Sequence, residues 1–142
     1  MILAFRLEDV TSVNDMAMNM IESPSDIALA SDAFTVDNHN LPSEYVASLS
    51  IPGAPAFAIP IKVGARYMII KNISVGIVNG TLCKVVSFSE HVVHVQLLTG
   101  SKRRSVVMLP KCTFNVLPEA SGLPYAFTRT QFPIQVAYCV TV

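Results

Sequence analysis

Ile61-Lys-Val-Gly-Ala-Arg66-Tyr-Met-Ile-Ile-Lys71-Asn72, followed by Gly76-Ile-Val-Asn-Gly80-Thr81, is the stretch on which the reading of this chain turns. Lys62, Arg66 and Lys71 punctuate an apolar run at its start, near its middle and at its end. Asn79-Gly80 then forces a turn. The run reads as the mouth of a small antiparallel β-barrel. Residues 1–50 carry one base, Arg6, against eight acids, a net charge of −7. Residues 51–142 carry nine bases against Glu90 and Glu119, a net charge of +7. A split of this kind inside a neutral chain points to an interaction surface, often one for nucleic acid. The other reading is that the two halves attract each other.

With 142 residues the chain is one domain, or one and a part. Its 51% hydrophobic content, 14% charged residues and mean hydropathy of +0.49 are high for a free-standing soluble protein. The chain is therefore expected to pack against something else, such as more of its own domain. No run reaches the roughly 18 uninterrupted apolar residues of a membrane helix. Met1-Ile2-Leu3-Ala4 meets Phe5-Arg6 and then acids, which is not a signal peptide. Cys83, Cys112 and Cys139 are odd in number and widely spaced, which excludes a disulfide framework and favours a reducing compartment. Each sits among apolar residues and is expected to be buried.

Outward from the opening stretch, Arg66–Lys71, Leu82–Phe88, Val92–Leu98 and Arg104–Leu109 read as short strands, with a tight Ser89-Glu90-His91 turn between the second and third. Upstream, Met1–Phe5 reads as a buried strand and Glu8–Ile21 as a helix with Val10, Val13, Ala17, Met20 and Ile21 on its apolar face. That pair opens an α/β unit with no partner strand nearby. Glu22–Pro60 loses periodicity around Ser23-Pro24-Ser25, Asp37–Asn40 and Pro52-Gly53-Ala54-Pro55, and reads as a crossover. Within it Ala28–Phe34 is a short strand and Ser43–Leu49 a helical turn. Downstream, Pro110, Pro118 and Pro124 break the next segment, and Gln131–Val142 reads as one apolar strand whose abrupt end suggests a truncated chain.

Catalytic constellations are missing from the sequence. Neither G-x-x-x-x-G-K-[ST] nor G-x-G-x-x-G occurs. His91 and His94 supply at best two of the three or four ligands that zinc needs and are expected to face solvent, and none of the three histidines has ligand spacing with a cysteine. Glu90 and Glu119 are isolated loop carboxylates, so no metal site and no acid/base pair is expected. The bases say more. Lys102, Arg103 and Arg104 cluster at a hairpin tip after Gly100, and Lys84 and Lys111 flank later strands. Phosphates are bound by such positions on small barrels, but edges and tips also carry lysine simply to avoid aggregation. Tyr67, Phe88, Tyr125 and Phe127 suit either base stacking or the core.

Lys62–Asn72 with Gly76–Thr81 resembles the "LKVGAPVMLLRNLD…GLCNGTR" signature of PIF-type DNA helicases, RecD-like enzymes of superfamily one, and among them the Helitron-transposon branch. Other segments resemble the family in order: Ile2-Leu3-Ala4 with Glu8-Asp9-Val10 and Val13-Asn14, Ala30-Ser31-Asp32, Pro42–Leu49, Leu98-Thr99-Gly100, and Leu123–Phe127 with Arg129 and Gln131-Phe132-Pro133. The resemblance spans essentially the whole chain. It implies a mixed α/β fold: the strand–helix start of a second RecA-like lobe with a crossover (residues 1–60), an inserted 2B barrel of the Src-homology-three type (61–117), and a return strand of the lobe (118–142).

Such helicases are ATP-driven 5′-to-3′ translocases that act in DNA repair, recombination and telomere maintenance, and their 2B barrel helps hold single-stranded DNA. The resemblance therefore implies DNA contacts at Lys62, Arg66, Lys71, Asn72, Asn79, Thr81, Lys102, Arg103, Arg104 and Arg129. It implies two partners, single-stranded DNA and the remainder of the motor, and an intracellular location, nuclear in a eukaryote. ATP and magnesium are implied only for a full-length helicase, and ATP hydrolysis by this chain alone is not expected. Three departures weaken the DNA contacts: Phe5-Arg6-Leu7 replaces the family's Pro-x-Asn, Leu82 the arginine after "NGT", and Gln135 the arginine after "QFP-x". A degenerate transposon remnant without activity and a small protein-interaction barrel are the competing readings.

Overall fold

The computed structural model describes residues 2–4, 6–23, 25–36 and 41–141, with residues 140 and 141 described by backbone alone. The expected turn at Asp37–Asn40, which includes His39, lies outside the described residues, as do Pro24, Phe5 and the outer ends Met1 and Val142 of the expected strands. In chain order the elements begin with β1 (Ile2–Ala4), α1 (Leu7–Asn19), β2 (Ser25–Leu29), β3 (Ser31–Phe34), α2 (Ser43–Ser48) and β4 (Ala58–Lys62). There follow β5 (Arg66–Ile69), β6 (Leu82–Phe88), β7 (Val92–Leu97), β8 (Val106–Pro110) and β9 (Cys112–Val116). The chain closes with α3 (Pro118–Ser121), β10 (Phe127–Gln131), β11 (Ile134–Val136) and β12 (Cys139–Thr141).

The fold is mixed α/β and mostly antiparallel. Five strands form an open sheet in the order β11-β5-β6-β7-β8, and three form a second sheet, β3-β10-β9. β2 pairs with β4, and β1 pairs in parallel with β12. The missing partner of the α/β opening is thus at the far end of the chain. Asn14 of α1 clamps it: its Oδ1 accepts from the N–H groups of Tyr138 and Cys139 at 2.9 and 2.8 Å, and its Nδ2 donates to the Cys139 carbonyl at 3.0 Å. The expected barrel of the Src-homology-three type is not found. Among the described residues β8 and β11 terminate the sheet without pairing. β11 has three residues, and β8 ends on Pro110, which has no N–H to offer a further strand.

Alternation explains the main core. Tyr67, Ile69, Cys83, Val85, Val93, Val95, Leu97, Leu109 and Ile134 point from the five-stranded sheet to one side, where Ile59, Ile61 and Met18 cover them. A bulge between Val85 and Ser87 pushes Val86 outward. A second cluster joins Val46, Ile51, Val116, Leu123 and Phe127, with the Phe34 and Phe127 ring centroids 5.0 Å apart. On α1 the buried residue is Met18, whereas Met20 of the expected apolar face is 82% exposed.

Three strand expectations require correction. Ala28–Phe34 is not one strand: Ala30 N–H turns aside to the Phe57 carbonyl at 2.7 Å, and the chain passes from the β2–β4 pair to the β3-β10-β9 sheet. The proline-broken segment holds β9, whose Phe114 and Val116 point inward. Gln131–Val142 is divided among three strands in three sheets. The ladder breaks because the Gln131 side chain takes the Phe132 N–H at 2.9 Å, Pro133 has none, and Asn14 then captures Tyr138 and Cys139.

Candidate nucleic-acid interface

The chain's basic side chains divide into those used inside the fold and those left open. Lys62 Nζ donates to the Met18 and Ile21 carbonyls at 2.8 and 3.3 Å, satisfying the C-terminal end of α1 where a cation also suits the helix dipole. Lys71 Nζ donates to the Thr113 carbonyl at 3.0 Å and lies 4.9 Å from the Phe114 ring centroid. Lys111 Nζ does the same with the Leu29 carbonyl and the Phe132 ring. Arg129 is fully buried. Its Nε and Nη2 grip Asp32 at 2.8 and 3.0 Å, Nη1 and Nη2 donate to the Pro55 and Val46 carbonyls, and the Phe57 and Phe127 rings flank it at 5.6 Å. This guanidinium has no surface to present to a phosphate, so the place expected for Arg129 at a DNA contact is corrected: it is a tie between β3, β10 and the α2 region.

Arg66, Lys84, Lys102, Arg103 and Arg104 make no ion pair and no side-chain hydrogen bond within the described residues. Strand register collects them. Arg66 stands directly opposite Lys84, Lys84 opposite Gln96, and Gln96 opposite Val106, all on the face of the sheet away from the core. The Gln96 side chain donates to the Arg104 carbonyl at 3.4 Å, which ties the β7–β8 hairpin tip to this row. Like charges placed directly opposite one another weaken a sheet, so the Arg66–Lys84 pair is a cost the fold tolerates. Lys84 was seen in the sequence only as a flanking base. Its place beside Arg66 comes from pairing between strands that a linear reading does not show.

The loop from Asn72 to Gly80 lies at the same end of the sheet and braces the tip. Asn72 Oδ1 accepts the Asn79 N–H at 2.9 Å, and the buried Thr81 Oγ1 accepts the Val78 N–H at 3.2 Å. These two expected contact residues shape the loop; Asn79 keeps an exposed side chain. Gly76 has φ +83°, and a Cβ there would come within 2.9 Å of Ser101 Oγ and 3.0 Å of Lys102 Cγ. Only glycine lets the loop and the tip approach this closely. Val75 at the loop's crest is 87% exposed, beside the basic tip. Of the ten expected contacts, Arg66, Asn79, Lys102, Arg103 and Arg104 are exposed with no side-chain bond among the described residues, Asn72 is exposed while its amide oxygen braces the loop, and Lys62, Lys71, Thr81 and Arg129 serve the fold.

The acidic first third does not neutralise this region. Among the described residues only Arg129–Asp32 pairs an acid of residues 1–50 with a base beyond them; the other ion pairs are Arg6–Glu8 at 3.4 Å and His91–Glu90 at 3.9 Å. No group of three or more His, Cys, Asp or Glu among the described residues is placed to hold a metal ion. Tyr67 and Phe127 belong to the core, while Phe88 and Tyr125 are half-buried. Cys83 and Cys139 are buried and Cys112 is half-exposed, so the expectation of burial fails for Cys112. No described helix is long and apolar enough to cross a membrane.

Comparison with known proteins bears on this geometry. The family described as "DNA helicase Pif1, 2B domain" matches residues 44–88. Three solved structures share the fold of nearly the whole chain. Pif1 helicase from Candida albicans aligns at TM-score 0.70 and 20% identity, over 98% of this chain and 35% of that one. A Pif1 helicase described at forked double-stranded DNA aligns at 0.68 and 23%, over 99% and 28%. Bacteroides Pif1 bound to single-stranded DNA aligns at 0.66 and 20%, over 99% and 30%. No curated protein matches. The chain is thus similar, over all its length, to a part of Pif1 helicases that contains the 2B domain, and it spans about a third of the length of those structures.

Proposed function

We propose that this chain is part of a Pif1-type helicase and that its open basic region, Arg66 and Lys84 with Lys102, Arg103 and Arg104, contacts single-stranded DNA. One observation carries the reading: these five bases lack side-chain partners among the described residues, while Lys62, Lys71, Lys111 and Arg129 are all committed inside the fold. A fold that spends four bases as internal ties and leaves five without side-chain partners among the described residues, on one row of the sheet and the hairpin tip tied to it, presents a surface for phosphates. The remainder of a helicase motor is the proposed protein partner, the Helitron branch the proposed lineage, and an intracellular, in eukaryotes nuclear, setting the proposed location. ATP and magnesium belong to the full motor. This sequence has no G-x-x-x-x-G-K-[ST] loop to cradle a nucleotide.

The test is salt dependence. For single strands the slope of log K against log salt is about −0.7 per phosphate neutralised, so three to five contacts give about −2 to −3.5. Replacing Lys102, Arg103 and Arg104 by Ala should make the slope shallower by about 2 without lowering the urea midpoint. Undetectable binding of an oligothymidine strand at low salt, or an unchanged slope in the triple variant, would refute the reading.

A further inference from the structure

We propose that Ser105 is a phosphorylation site for a Ser/Thr kinase that selects bases three and two positions ahead of its target. On that reading the phosphate acts as an off-switch for the hairpin tip. The tip reads Ser101-Lys102-Arg103-Arg104-Ser105-Val106. Lys102 and Arg103 stand at the selecting positions, and Val106, 56% exposed, supplies an apolar residue just after the serine. Kinases of this class choose substrates by pairing acidic side chains in the peptide groove with such bases.

The structure separates the two serines of the tip. Ser101 Oγ faces the Asn72–Gly80 loop, 2.9 Å from where a Cβ on Gly76 would lie, and bases follow it rather than precede it. Ser105 is exposed, and its hydroxyl has no hydrogen-bond partner in the described fold. The backbone is closed at the hairpin mouth and looser at the tip. Arg104 N–H donates to the Leu97 carbonyl at 2.7 Å and Leu97 N–H to the Ser105 carbonyl at 2.9 Å, whereas Ser105 N–H reaches the Lys102 carbonyl at 3.1 Å and the Arg103-to-Gly100 turn bond is 3.3 Å. Arg104 has φ +75°, a conformation disfavoured for a residue with a side chain. Drawing 102–106 out into an extended peptide in a kinase groove therefore means opening the Arg104–Leu97 and Leu97–Ser105 bonds that close the hairpin and the Gln96 tie to the Arg104 carbonyl, while the β7–β8 ladder from Val107 onward stays paired.

In the reaction Ser105 Oγ attacks the γ-phosphorus of magnesium-ATP held by the kinase. The Oγ–P bond forms as the bond to the β–γ bridging oxygen breaks, ADP departs, and the hydroxyl proton passes to the kinase's catalytic carboxylate. The product carries a charge of about −1.5 to −2 at pH 7 next to Lys102, Arg103 and Arg104 and offers them acceptor oxygens. The tip then satisfies its own bases. The off-switch rests on the proposed DNA contact; the modification itself does not.

The 142-residue chain is incubated with the catalytic subunit of a cyclic-AMP-dependent protein kinase and magnesium-ATP, and the product is mapped by mass spectrometry. The expected result is one phosphate per chain, on Ser105, lost in Ser105→Ala and kept in Ser101→Ala. The double variant Lys102→Ala/Arg103→Ala should be modified at least about tenfold more slowly. Phosphate on Ser101 instead, or no phosphate on the protein whether or not a free peptide of residues 98–110 is modified, overturns the site. Oligothymidine binding is then compared at low salt, where the modified protein should bind about tenfold more weakly. Unchanged affinity after stoichiometric modification overturns the switch. An unmodified protein that fails to bind refutes the interface and the switch, while the mapped Ser105 phosphate still establishes the site.

Discussion

Arg129→Ala is the substitution that the structure marks as most damaging. The guanidinium is 0% exposed and the Asp32 side chain only 12%, so removing the arginine strands a carboxylate in an environment with little water. Breaking a buried pair from one side costs about 3–5 kcal/mol. The Pro55 and Val46 carbonyls lose their donors as well, at about 1–3 kcal/mol each where water does not replace them. These costs overlap, and a loss of about 4 kcal/mol or more out of a typical 5–15 is expected. Urea titration followed by circular dichroism reads it directly. The double variant Asp32→Leu/Arg129→Met should recover most of the loss, because an apolar pair leaves no uncompensated charge. If Arg129→Ala costs less than about 1 kcal/mol, the size of a surface ion pair, then Arg129 is not the internal tie described here.

Two further outcomes follow from local geometry. Gly76→Ala forces a side chain into the left-handed region and against Ser101 and Lys102, so it should cost about 1–2 kcal/mol and weaken oligothymidine binding by displacing the tip; unchanged melting and binding would show that the loop does not brace it. Burial pushes the Cys83 thiol up from 9.0 to about 12 and raises the Tyr67 phenol as well. Both groups are held neutral by the fold, so their contribution is intact below the ordinary ionisation range and is lost as pH rises through the raised value. Stability, and with it the urea midpoint, should therefore fall as pH rises above 9. Cys83→Ala should remove the thiol's part of the slope, and a slope identical in both proteins would contradict the burial of the thiol.

The β5–β8 meander was legible because its strands alternate, are rich in β-branched residues and end in Asn79-Gly80 and Gly100 turns. Leu82–Phe88 is matched residue for residue. What the sequence did not reveal is what each polar side chain does once distant segments meet. Lys71 reads as a phosphate ligand because charge is local information, and Arg129 as a DNA contact through the resemblance, whereas the Thr113 carbonyl and Asp32, which take them up, lie 42 and 97 residues away. The three-way division of Gln131–Val142 was hidden for a similar reason, since the alternation of Ile134, Val136 and Tyr138 runs on while the partners change. Barrel closure was inferred from resemblance and strand count. Whether edge strands meet depends on their length and on Pro110, and the open sheet is the outcome.

The Arg66–Lys84 pair allows stability and binding to be separated in a single residue. Facing bases on neighbouring strands repel, and a carboxylate at position 84 would face Arg66 with the opposite sign. Cross-strand pairs of this kind shift stability by about 0.2–1 kcal/mol. Lys84→Glu should therefore stabilise the isolated chain by about 0.5 kcal/mol and raise its melting temperature. The same change removes one phosphate contact and adds a repulsive charge to the face, so oligothymidine affinity should fall and the salt slope should lose about 0.7 to 1.4. A solvated edge with no ligand predicts the first effect without the second. A surface retained for nucleic acid predicts both, in opposite directions, because selection for the ligand is what keeps a destabilising pair in place. Lys84→Gln, which removes the charge without reversing it, should fall between the two proteins in stability and in affinity. If Lys84→Glu gains stability and binds as before, Arg66 and Lys84 are not part of the interface and the tip acts alone.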